Sequence, residues 1–590
     1  MPAPGRFLLR LLPGWILRYP RQRLAEDLVA GLIVAFLALP QSLAYALLAG
    51  LPPQVGLYVS ILPAIAYAWV GSSMVQAVGP VAITAIMTYT VLQPLATPGT
   101  PEYAGLAASL ALLSGVLLTI GSLLRLGFLS QLLSRPVIQG FISGSAVLIL
   151  LSQSRHLLGL ESGSDSWPGL WAALLAQLAG GLGPAALIGL VALAVLALGR
   201  TLLEHALVRC GMAAARAKFI VRLLPLMVIA AASAVVLHFN LEARGIAVVG
   251  PLASGLPDFH WFLPDHASLG KLAVPAMLLA LVGMVQNIAM AQALAIKRHE
   301  RVDANSELLG LGAANMVAAV YGGMPVGGGV SRSALNVAAG AQSPLASIVT
   351  AATMGVIVYA LASFFSHLPL AALAASIMVA AFSMIDLKSW REAWAYDRAD
   401  GLAWLGTAGG VVFLGLERGI GLGIMLSLTT LLLRASTPHI ARLGRIPGSE
   451  HFRNTDRHAV ETLPEVVFLR IDESLFFGNQ SAVEARIASE LLETPTLRHV
   501  VLVMSAVNRV DTTAMEMLCD INRDLDERQI HLHLAEVKGP VHDRLHHSRL
   551  WPALSGQVFL SVNEAFEKLR LAAPRLTVPA NKAPSPSWHP

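Results

Sequence analysis

Two long stretches with almost no charge constrain the fold more than any motif does. Residues 28–101 contain no Asp, Glu, Lys or Arg, and residues 308–385 contain only Arg332. About 20 apolar residues cross the hydrocarbon core of a bilayer as a helix, so the first stretch alone can hold about three crossings. Charged residues make up 13% of the chain, against roughly 25% in soluble domains. The sequence therefore predicts a polytopic α-helical protein embedded in a lipid bilayer.

Fourteen apolar stretches can be assigned. They cover residues 28–48, 56–74, 80–93, 104–124, 136–152, 168–199, 220–238, 271–296, 306–322, 331–341, 343–365, 369–385, 400–416 and 419–434. The third and the tenth are too short to cross about 30 Å of hydrocarbon as helices. Each follows an irregular Gly/Pro segment, and they stand seven elements apart. This pattern predicts an inverted repeat with two broken helices that begin near the membrane midplane.

Basic residues follow every second stretch, for example Arg125 and Arg135 after the fourth and Arg298 after the eighth. Lys and Arg concentrate on the cytoplasmic side of membrane proteins. The first 23 residues carry five arginines and resemble a basic surface segment rather than a signal peptide. We therefore expect a multi-pass protein of a bacterial inner membrane, with both termini in the cytoplasm.

From Glu465 onward the chain alternates strand-like and helix-like runs, which predicts a small cytoplasmic α/β domain. The last residues are Pro-rich, which is typical of disorder. The predicted organisation is a basic segment at 1–25, a membrane domain at 26–436, a linker at 437–462, an α/β domain at 463–571 and a disordered tail at 572–590.

Several functions find no support in the sequence. Cys210 and Cys519 are the only cysteines and lie far apart, so neither a disulfide framework nor a zinc site is predicted. Five histidines in the α/β domain lack a matching carboxylate or thiol and are interpreted as surface residues rather than metal ligands. These are His531, His533, His542, His546 and His547. We find no motif for catalysis or for a cofactor, and the formal charge of +5 comes mostly from short loops, so no nucleic-acid partner is expected.

Arg332 is the main candidate for function, because an ionisable residue inside the membrane usually marks a site. Its guanidinium keeps its proton under ordinary conditions and must meet water or an anion. Ser331 is a good N-cap residue, and the first-turn N–H groups around Ser333 are predicted to be free. Pro80 suits the first position of the other short helix. Two helix ends of about half a charge each, plus the arginine, predict a site for a small mono- or divalent anion.

Other interpretations of these residues stay open at this level. Arg332 could be a snorkelling or interfacial arginine without a ligand if its helix were tilted or its boundary misplaced. The glycines at 327–329 could serve close helix packing instead of a binding site.

Five segments together are similar to one family. They are LPQSLAYALLAGLPPQVGLYVSILP, GSSMVQAVGPVAITAI, DANSELLGLGAANM, GGGVSRSALNVAAG and VDTTAMEML. They resemble the sulfate permease (SulP, solute carrier 26) anion transporters, and the resemblance covers residues 27 to about 571. It implies fourteen membrane segments in a seven-plus-seven inverted repeat. It also implies a core domain that carries the anion between helices three and ten and slides against a gate domain, a C-terminal STAS domain, and a homodimer.

The resemblance also implies the residues that contact the anion. At the matching positions these are Val81, Ala82, Val330, Ser331 and Arg332. Gln41 matches a polar residue that lines the same cavity, although a helix-packing hydrogen bond beside Pro40 is an equal alternative.

The eighth helix departs from the family pattern. Many bacterial and plant members carry a glutamate where this chain has Gln286. An amide cannot titrate, so we hypothesise that proton coupling at this position is absent or shifted, which leaves facilitated uptake, anion exchange or a sodium route. Asp303 and Glu307 are the nearest carboxylates, and their place near a helix start favours structural capping.

In the α/β domain, Thr513 and Glu516 match a capping box at the start of a helix, and this structural role is favoured. Similar domains in anti-sigma-factor antagonists are phosphorylated on a hydroxyl at this position. A regulatory phosphosite at Thr513 is therefore the alternative.

The leading hypothesis is a secondary transporter of small inorganic oxyanions, sulfate first, working by an elevator mechanism. Bicarbonate and C4-dicarboxylates remain open, because one arginine does not decide the valence of the anion. An anion channel or a sensor with the STAS domain as its output is a different class. A nucleobase permease is disfavoured by the basic residue in the tenth helix and by the attached domain.

Overall fold

The computed structural model describes residues 13–17, 19–131, 134–160, 183–213, 217, 220, 221, 223–250, 255, 266–321 and 323–572. The predicted basic segment up to residue 12 and the predicted disordered tail from residue 573 lie outside these residues. The chain divides into two compact units, Met1–Ser427 and Leu428–Pro590.

The first unit is helical. After a single helical turn at Gly14–Leu17, its helices are α1 Leu24–Leu48, α2 Pro53–Tyr58, α3 Leu62–Val70, α4 Ala82–Leu92, α5 Pro101–Leu123, α6 Arg135–Leu158, α7 Pro184–Arg209, α8 Leu224–His238, α9 His266–Arg298, α10 Ala304–Val320, α11 Val330–Ala338, α12 Leu345–Phe365, α13 Leu370–Phe382, α14 Leu387–Tyr396, α15 Arg398–Leu414 and α16 Leu416–Ser436. Seven helices of the described part are long and apolar enough to cross a membrane, or eight if the bent pair Pro184–Gly199 and Leu202–Arg209 forms one span. The protein is thus a polytopic helical membrane protein, whereas the exact number of fourteen crossings stays a prediction.

Two predicted stretches differ from the observed helices. The second stretch is interrupted at residues 59–61, between α2 and α3. Pro63 lies in the first turn of α3, where its missing N–H costs nothing because first-turn donors have no intrahelical acceptor. The sixth stretch was predicted to end at residue 199. Helix α7 continues to Arg209 but bends by 55° between Gly199 and Leu202, so its straight apolar part ends at the predicted residue. The predicted start of this stretch at residue 168 lies outside the described residues.

The two short helices, α4 and α11, are the elements on which the site is built. Each is preceded by a two-residue strand, β1 at Val78–Gly79 and β2 at Gly327–Gly328. The strands pair antiparallel, with Val78 opposite Gly328 and Gly79 opposite Gly327. The two broken segments predicted from the sequence therefore meet directly, in the antiparallel sense that an inverted relation between two halves requires.

The second unit contains a six-stranded sheet. Its strands are β3 Ile440–Arg445, β4 Phe452–Asn454, β5 Val466–Ile471, β6 His499–Val503, β7 His531–Ala535 and β8 Val558–Phe559, in the spatial order β4-β3-β5-β6-β7-β8. Strands β5 to β8 are parallel, and β3 is antiparallel to both of its neighbours. The helices of this unit are α17 Gln480–Glu493, α18 Thr512–Glu527, α19 Gly539–His546, α20 Leu550–Ala553 and α21 Val562–Ala572.

The predicted linker at 437–462 is wrong in part, because it supplies β3 and β4 to this sheet. Ala441 and Leu443 are buried in β3, and the two arginines of this strand pair with carboxylates. Arg442 lies 3.1 Å from Glu490, and Arg445 pairs with Glu461 at 2.8 Å. The charges of both arginines are thus neutralised by carboxylates of the folded domain.

Candidate functional site

The β1–β2 pair holds the starts of α4 and α11 side by side. The Gly329 N–H donates to the Ala77 carbonyl at 3.2 Å. The Ser333 hydroxyl accepts from the Ala77 N–H at 3.1 Å. Val81, the N-cap residue of α4, is buried, and so is Ala82 in its first turn. The two segments that the sequence predicted to form one site therefore lie directly beside each other.

The helix starts at both α4 and α11 differ from the predicted ones. Helix α4 begins at Ala82 with Val81 as its N-cap, so Pro80 lies before the helix and not at its first position. At α11, Gly329, not Ser331, is the N-cap, and the Ser333 N–H donates to the Gly329 carbonyl at 2.8 Å. The glycine strand ends at residue 328, so the helix begins as soon as the pairing with β1 stops. The N–H groups without an intrahelical acceptor are those of residues 330–332, and at α4 those of residues 82–84. The side chains of Val330 and Ser331 lie outside the described residues.

Arg332 is buried, with 4% of its surface exposed. Its Nη2 donates to the Ser42 hydroxyl at 2.9 Å and its Nη1 to the Ser60 hydroxyl at 3.4 Å. A Cβ at Gly79 would collide with Nη1, so the guanidinium rests on the backbone of β1. This position excludes a snorkelling arginine.

The charge of Arg332 has no partner of opposite sign in the described part of the chain, where its hydrogen bonds go to the two serines. A guanidinium has five N–H donors. A buried ion without a counter-ion is costly, and the cost falls when an anion and further hydrogen bonds are supplied. The site thus presents a positive charge and spare donors next to two helix N-termini, which is an arrangement suited to an anion.

Gln41 and Gln286 lie on different helices near this centre. Gln41 is half-buried on α1, directly before Ser42. Gln286 on α9 is one of the residues that line a small cavity with apolar walls. That cavity is lined by Ile83, Val137, Ile138, Phe141, Ile142, Val282, Val285 and Ile420. The only polar side chain of this cavity is therefore an amide that does not titrate.

Sequence reasoning missed a buried network around Glu307. Asp303 caps α10, with its carboxylate accepting from the Ser306 N–H at 2.8 Å. Glu307 does not cap its own helix, which corrects its predicted role. It is 0% exposed and accepts five hydrogen bonds. The donors are the Tyr67 hydroxyl at 2.5 Å, the Asn287 amide at 2.9 Å, the Ser72 N–H at 2.9 Å and hydroxyl at 2.8 Å, and the Ser73 N–H at 2.9 Å.

The network continues to the paired strands. The Asn287 Oδ1 accepts from the Gln76 amide at 2.5 Å. A Cβ at Gly328 would collide with Gln76 Nε2 and would lie 2.5 Å from Asn287 Oδ1. The glycine run in β2 thus signals a close approach, as the sequence suggested, but the group that approaches is an amide pair anchored on Glu307.

The membrane unit and the sheet domain both match known family models. The model of the sulfate permease family matches residues 24–407, and that of the STAS domain matches residues 457–565. The chain belongs to the sulfate permease family. Its sheet domain is accordingly a STAS domain, and the membrane unit has the fold of an anion transporter family.

Curated relatives extend over nearly the whole chain. A chloroplastic protein of Arabidopsis thaliana named sulfate transporter 4.1 is 32% identical over 92% of this chain and 78% of its own length. A probable sulfate transporter of Mycobacterium tuberculosis is 32% identical over 94% of this chain and 96% of its own length.

A solved structure shows the same fold. The murine solute carrier 26 family member A9 superposes with a TM-score of 0.82 at 21% identity, covering 97% of this chain and 96% of that chain. At this identity the likeness concerns the fold alone.

The STAS domain corrects two predictions. The N-cap of α18 is Asp511, whose carboxylate accepts from the Ala514 N–H at 2.8 Å, so Thr513 does not form the predicted capping box and is exposed. His533 is not a surface residue: it is 5% exposed and lies 3.1 Å from His499, ring nitrogen to ring nitrogen. Burial, with the neighbouring His499, lowers the pKa of His533 to about 4.

Proposed function

We propose that this protein is a secondary transporter that carries small inorganic oxyanions across the membrane, with sulfate as the first candidate. The observation that supports this most is Arg332, a buried cation without a carboxylate partner in the described part, placed where two broken helices start. A buried charge of this kind is stabilised by an anion that enters and leaves.

The proposed anion lies between the first turns of α4 and α11. Its contacts are Val81, Ala82, Val330, Ser331 and Arg332, with Gln41 lining the same cavity. At about 4 Å and an effective dielectric constant of about 20, one unit charge on Arg332 attracts one unit of negative charge by about 4 kcal/mol. The free N–H groups of the two helix starts add hydrogen-bond donors to the site, and these backbone groups do not titrate.

Sulfate is placed first because the curated relatives that cover most of this chain are named sulfate transporters. The tetrahedral dianion has four acceptor oxygens, which fits a site rich in N–H donors and one cation. Bicarbonate and C4-dicarboxylates are the comparison substrates.

Gln286 limits how transport is driven. We infer that no proton is carried at this position, since its side chain is an amide. Its cavity lies between α4 and α9 on one side and α6 and α16 on the other. An apolar surface of this kind suits an elevator movement in which α4 and α11 travel with the anion.

Four further features belong to the proposal. The protein transports its substrate without chemical change and so is not an enzyme. It works as a homodimer in a bacterial inner membrane, with both termini in the cytoplasm. Its domains have the boundaries given above, except that the STAS sheet begins at β3. The exposed Thr513 hydroxyl is a regulatory phosphosite.

The test is uptake of radiolabelled anions by purified protein in proteoliposomes, with sulfate, bicarbonate, fumarate, chloride and uracil compared, each with and without proton or sodium gradients. We expect saturable sulfate uptake that accelerates when unlabelled sulfate is trapped inside, and loss of uptake in Arg332→Ala. Uncoupled current without counterflow would favour a channel. No movement of any anion, or unchanged affinity in Arg332→Ala, would refute the proposed site.

A further inference from the structure

The contacts that hold Arg332 are made by two serines of the other half of the membrane unit. Ser42 lies in α1 and Ser60 in the turn after α2. Their hydroxyl oxygens are 3.0 Å apart, and both side chains are buried, at 0% and 1% exposure. The two oxygens therefore form a compact fork that receives Nη2 and Nη1 of Arg332.

The hydroxyl protons of the two serines have acceptors other than Arg332. Ser42 can donate to the Ala38 carbonyl at 2.8 Å and Ser60 to the Gly56 carbonyl at 2.8 Å. Each hydroxyl has one proton and two lone pairs. Each hydroxyl proton goes to a backbone carbonyl or to the other serine, so both hydroxyl oxygens accept hydrogen bonds from the guanidinium. The fork thus fixes the direction of Arg332 with hydrogen bonds alone.

A carboxylate is the usual partner of a guanidinium and would hold it by the same two-point geometry. A carboxylate would also neutralise it, and an anion entering the site would then meet no net charge. Two serine hydroxyls offer the same two-point geometry and leave the positive charge of Arg332 in place. The backbone of β1 closes the third side, because a Cβ at Gly79 would collide with Nη1.

We propose that Ser42 and Ser60 are positioning residues that aim the Arg332 guanidinium at the anion site without neutralising it. This inference rests on the proposed function of Arg332 as an anion ligand. It adds two first-half residues, one in α1 and one in the turn after α2, to those that set the affinity of the anion site.

The chain offers a matched control. Ser145 in α6 is also 0% exposed and donates to the Phe141 carbonyl, four residues earlier, at 2.7 Å. It makes the same helix-internal hydrogen bond as Ser42 but has no hydrogen bond to an arginine in the described structure. Ser145→Ala therefore reports the cost of removing a buried hydroxyl by itself.

The experiment is sulfate uptake kinetics of the full-length protein in proteoliposomes. Ser42→Ala and Ser60→Ala are each expected to raise KM for sulfate by about 10-fold or more, with Vmax nearly unchanged, since each removes one hydrogen bond to a charged group. Ser145→Ala keeps the wild-type KM. Ser42→Thr, which keeps the hydroxyl, restores KM to within about 2-fold of wild type, because threonine can make the same bond to the carbonyl four residues back.

Two further variants separate positioning from packing. Ser42→Asp supplies a stronger acceptor to Arg332 but cancels its charge, so we expect a larger rise in KM than for Ser42→Ala. Gly79→Ala displaces the guanidinium while both hydroxyls remain, and it should raise KM too. Gly121→Ala is its control, because a Cβ there has nothing within 4 Å.

The outcomes are distinguishable. If Ser42→Asp binds sulfate as well as or better than Ser42→Ala, or if the serine variants keep the wild-type KM while Arg332→Ala loses uptake, the positioning role is refuted and the proposed function stands. If the wild-type protein takes up no anion, the proposed function itself fails. Monodisperse elution and unfolding temperature, measured without sulfate, verify that each variant compared is folded.

Discussion

Replacing Glu307 by glutamine should destabilise the membrane unit strongly, although the two side chains have nearly the same shape. In the wild-type structure both carboxylate oxygens accept, one from Tyr67 and Asn287 and the other from Ser72 and Ser73. A glutamine has one acceptor oxygen and one NH2 donor group. In either orientation the NH2 group faces buried donors, so one or two hydrogen bonds are lost.

The expected cost follows from these lost bonds. A buried donor left without an acceptor costs about 1–3 kcal/mol, and removing the charge weakens the bonds that remain. Relief of the buried charge offsets part of this, so we expect a net loss of about 2–4 kcal/mol. Because the Asn287 amide continues to Gln76 beside β2, sulfate affinity should fall along with stability.

The assay is the apparent unfolding temperature of the purified protein in detergent, measured by intrinsic fluorescence for wild type, Glu307→Gln and Asp303→Asn. The Asp303 variant is the control: Asp303 is a nearby cap whose acceptor survives as an amide oxygen, and asparagine is as good an N-cap as aspartate. We expect several degrees of destabilisation for Glu307→Gln and almost none for the control. Equal unfolding temperatures for wild type and Glu307→Gln would refute the claim that the hydrogen bonds of Glu307 stabilise the membrane unit.

Three other predictions concern coupling and the STAS domain. Gln286→Glu should make sulfate uptake respond to an inward proton gradient, because a carboxyl group in an apolar cavity can bind and release a proton. Uptake by Gln286→Met should not respond. Equal pH profiles of uptake for the two variants would refute a role of position 286 in proton coupling. Because the folded domain favours a neutral His533 with a pKa of about 4 rather than 6.5, the stability this group contributes above pH 6.5 should be lost as the pH falls towards 4. Amide hydrogen exchange of β6 and β7 in the full-length protein, expressed as protection factors that correct for the slower intrinsic exchange in acid, should show protection that falls over that range. His533→Asn should reduce this fall, whereas unchanged protection factors would contradict the assignment. Asp511→Ala should cost about 1 kcal/mol of local stability and speed amide exchange at the start of α18, while Thr513→Ala should not. Faster exchange in Thr513→Ala than in Asp511→Ala would contradict Asp511 as the N-cap and favour the predicted capping box.

The sequence predicted the broken helices well because their signal is local. A short apolar run after a Gly/Pro segment cannot cross the membrane, and the structure has short helices at α4 and α11 in these two places. The N-cap of α11 was misplaced by two residues, since the pairing of β1 with β2 decides where the strand ends. Local sequence contains no information about that pairing.

The contacts that complete the site were not predictable in the same way. Ser42 and Arg332 are 290 residues apart, and Tyr67 and Glu307 are 240 apart. A serine in an apolar helix and a glutamate near a helix start each have an ordinary local role. Only the fold shows that these residues hold the two halves of the site together.

In the α/β domain, strand and helix periodicity located β5 to β8 and the helices α17, α18, α19 and α21, but β3 and β4 were missed. Strand β3 contains Arg442 and Arg445, and Glu490 and Glu461 supply their carboxylate partners from elsewhere in the fold.

Equilibrium binding of radiolabelled sulfate to the purified protein tests the central claim most directly, because it needs neither a gradient nor turnover. We predict saturable binding to wild type and to Arg391→Ala, which removes an exposed arginine of α14. Binding to Arg332→Ala should be at least about 100-fold weaker, since the loss of about 4 kcal/mol of attraction corresponds to nearly three powers of ten. Equal affinity of Arg332→Ala and wild type would contradict an anion site at the broken helices.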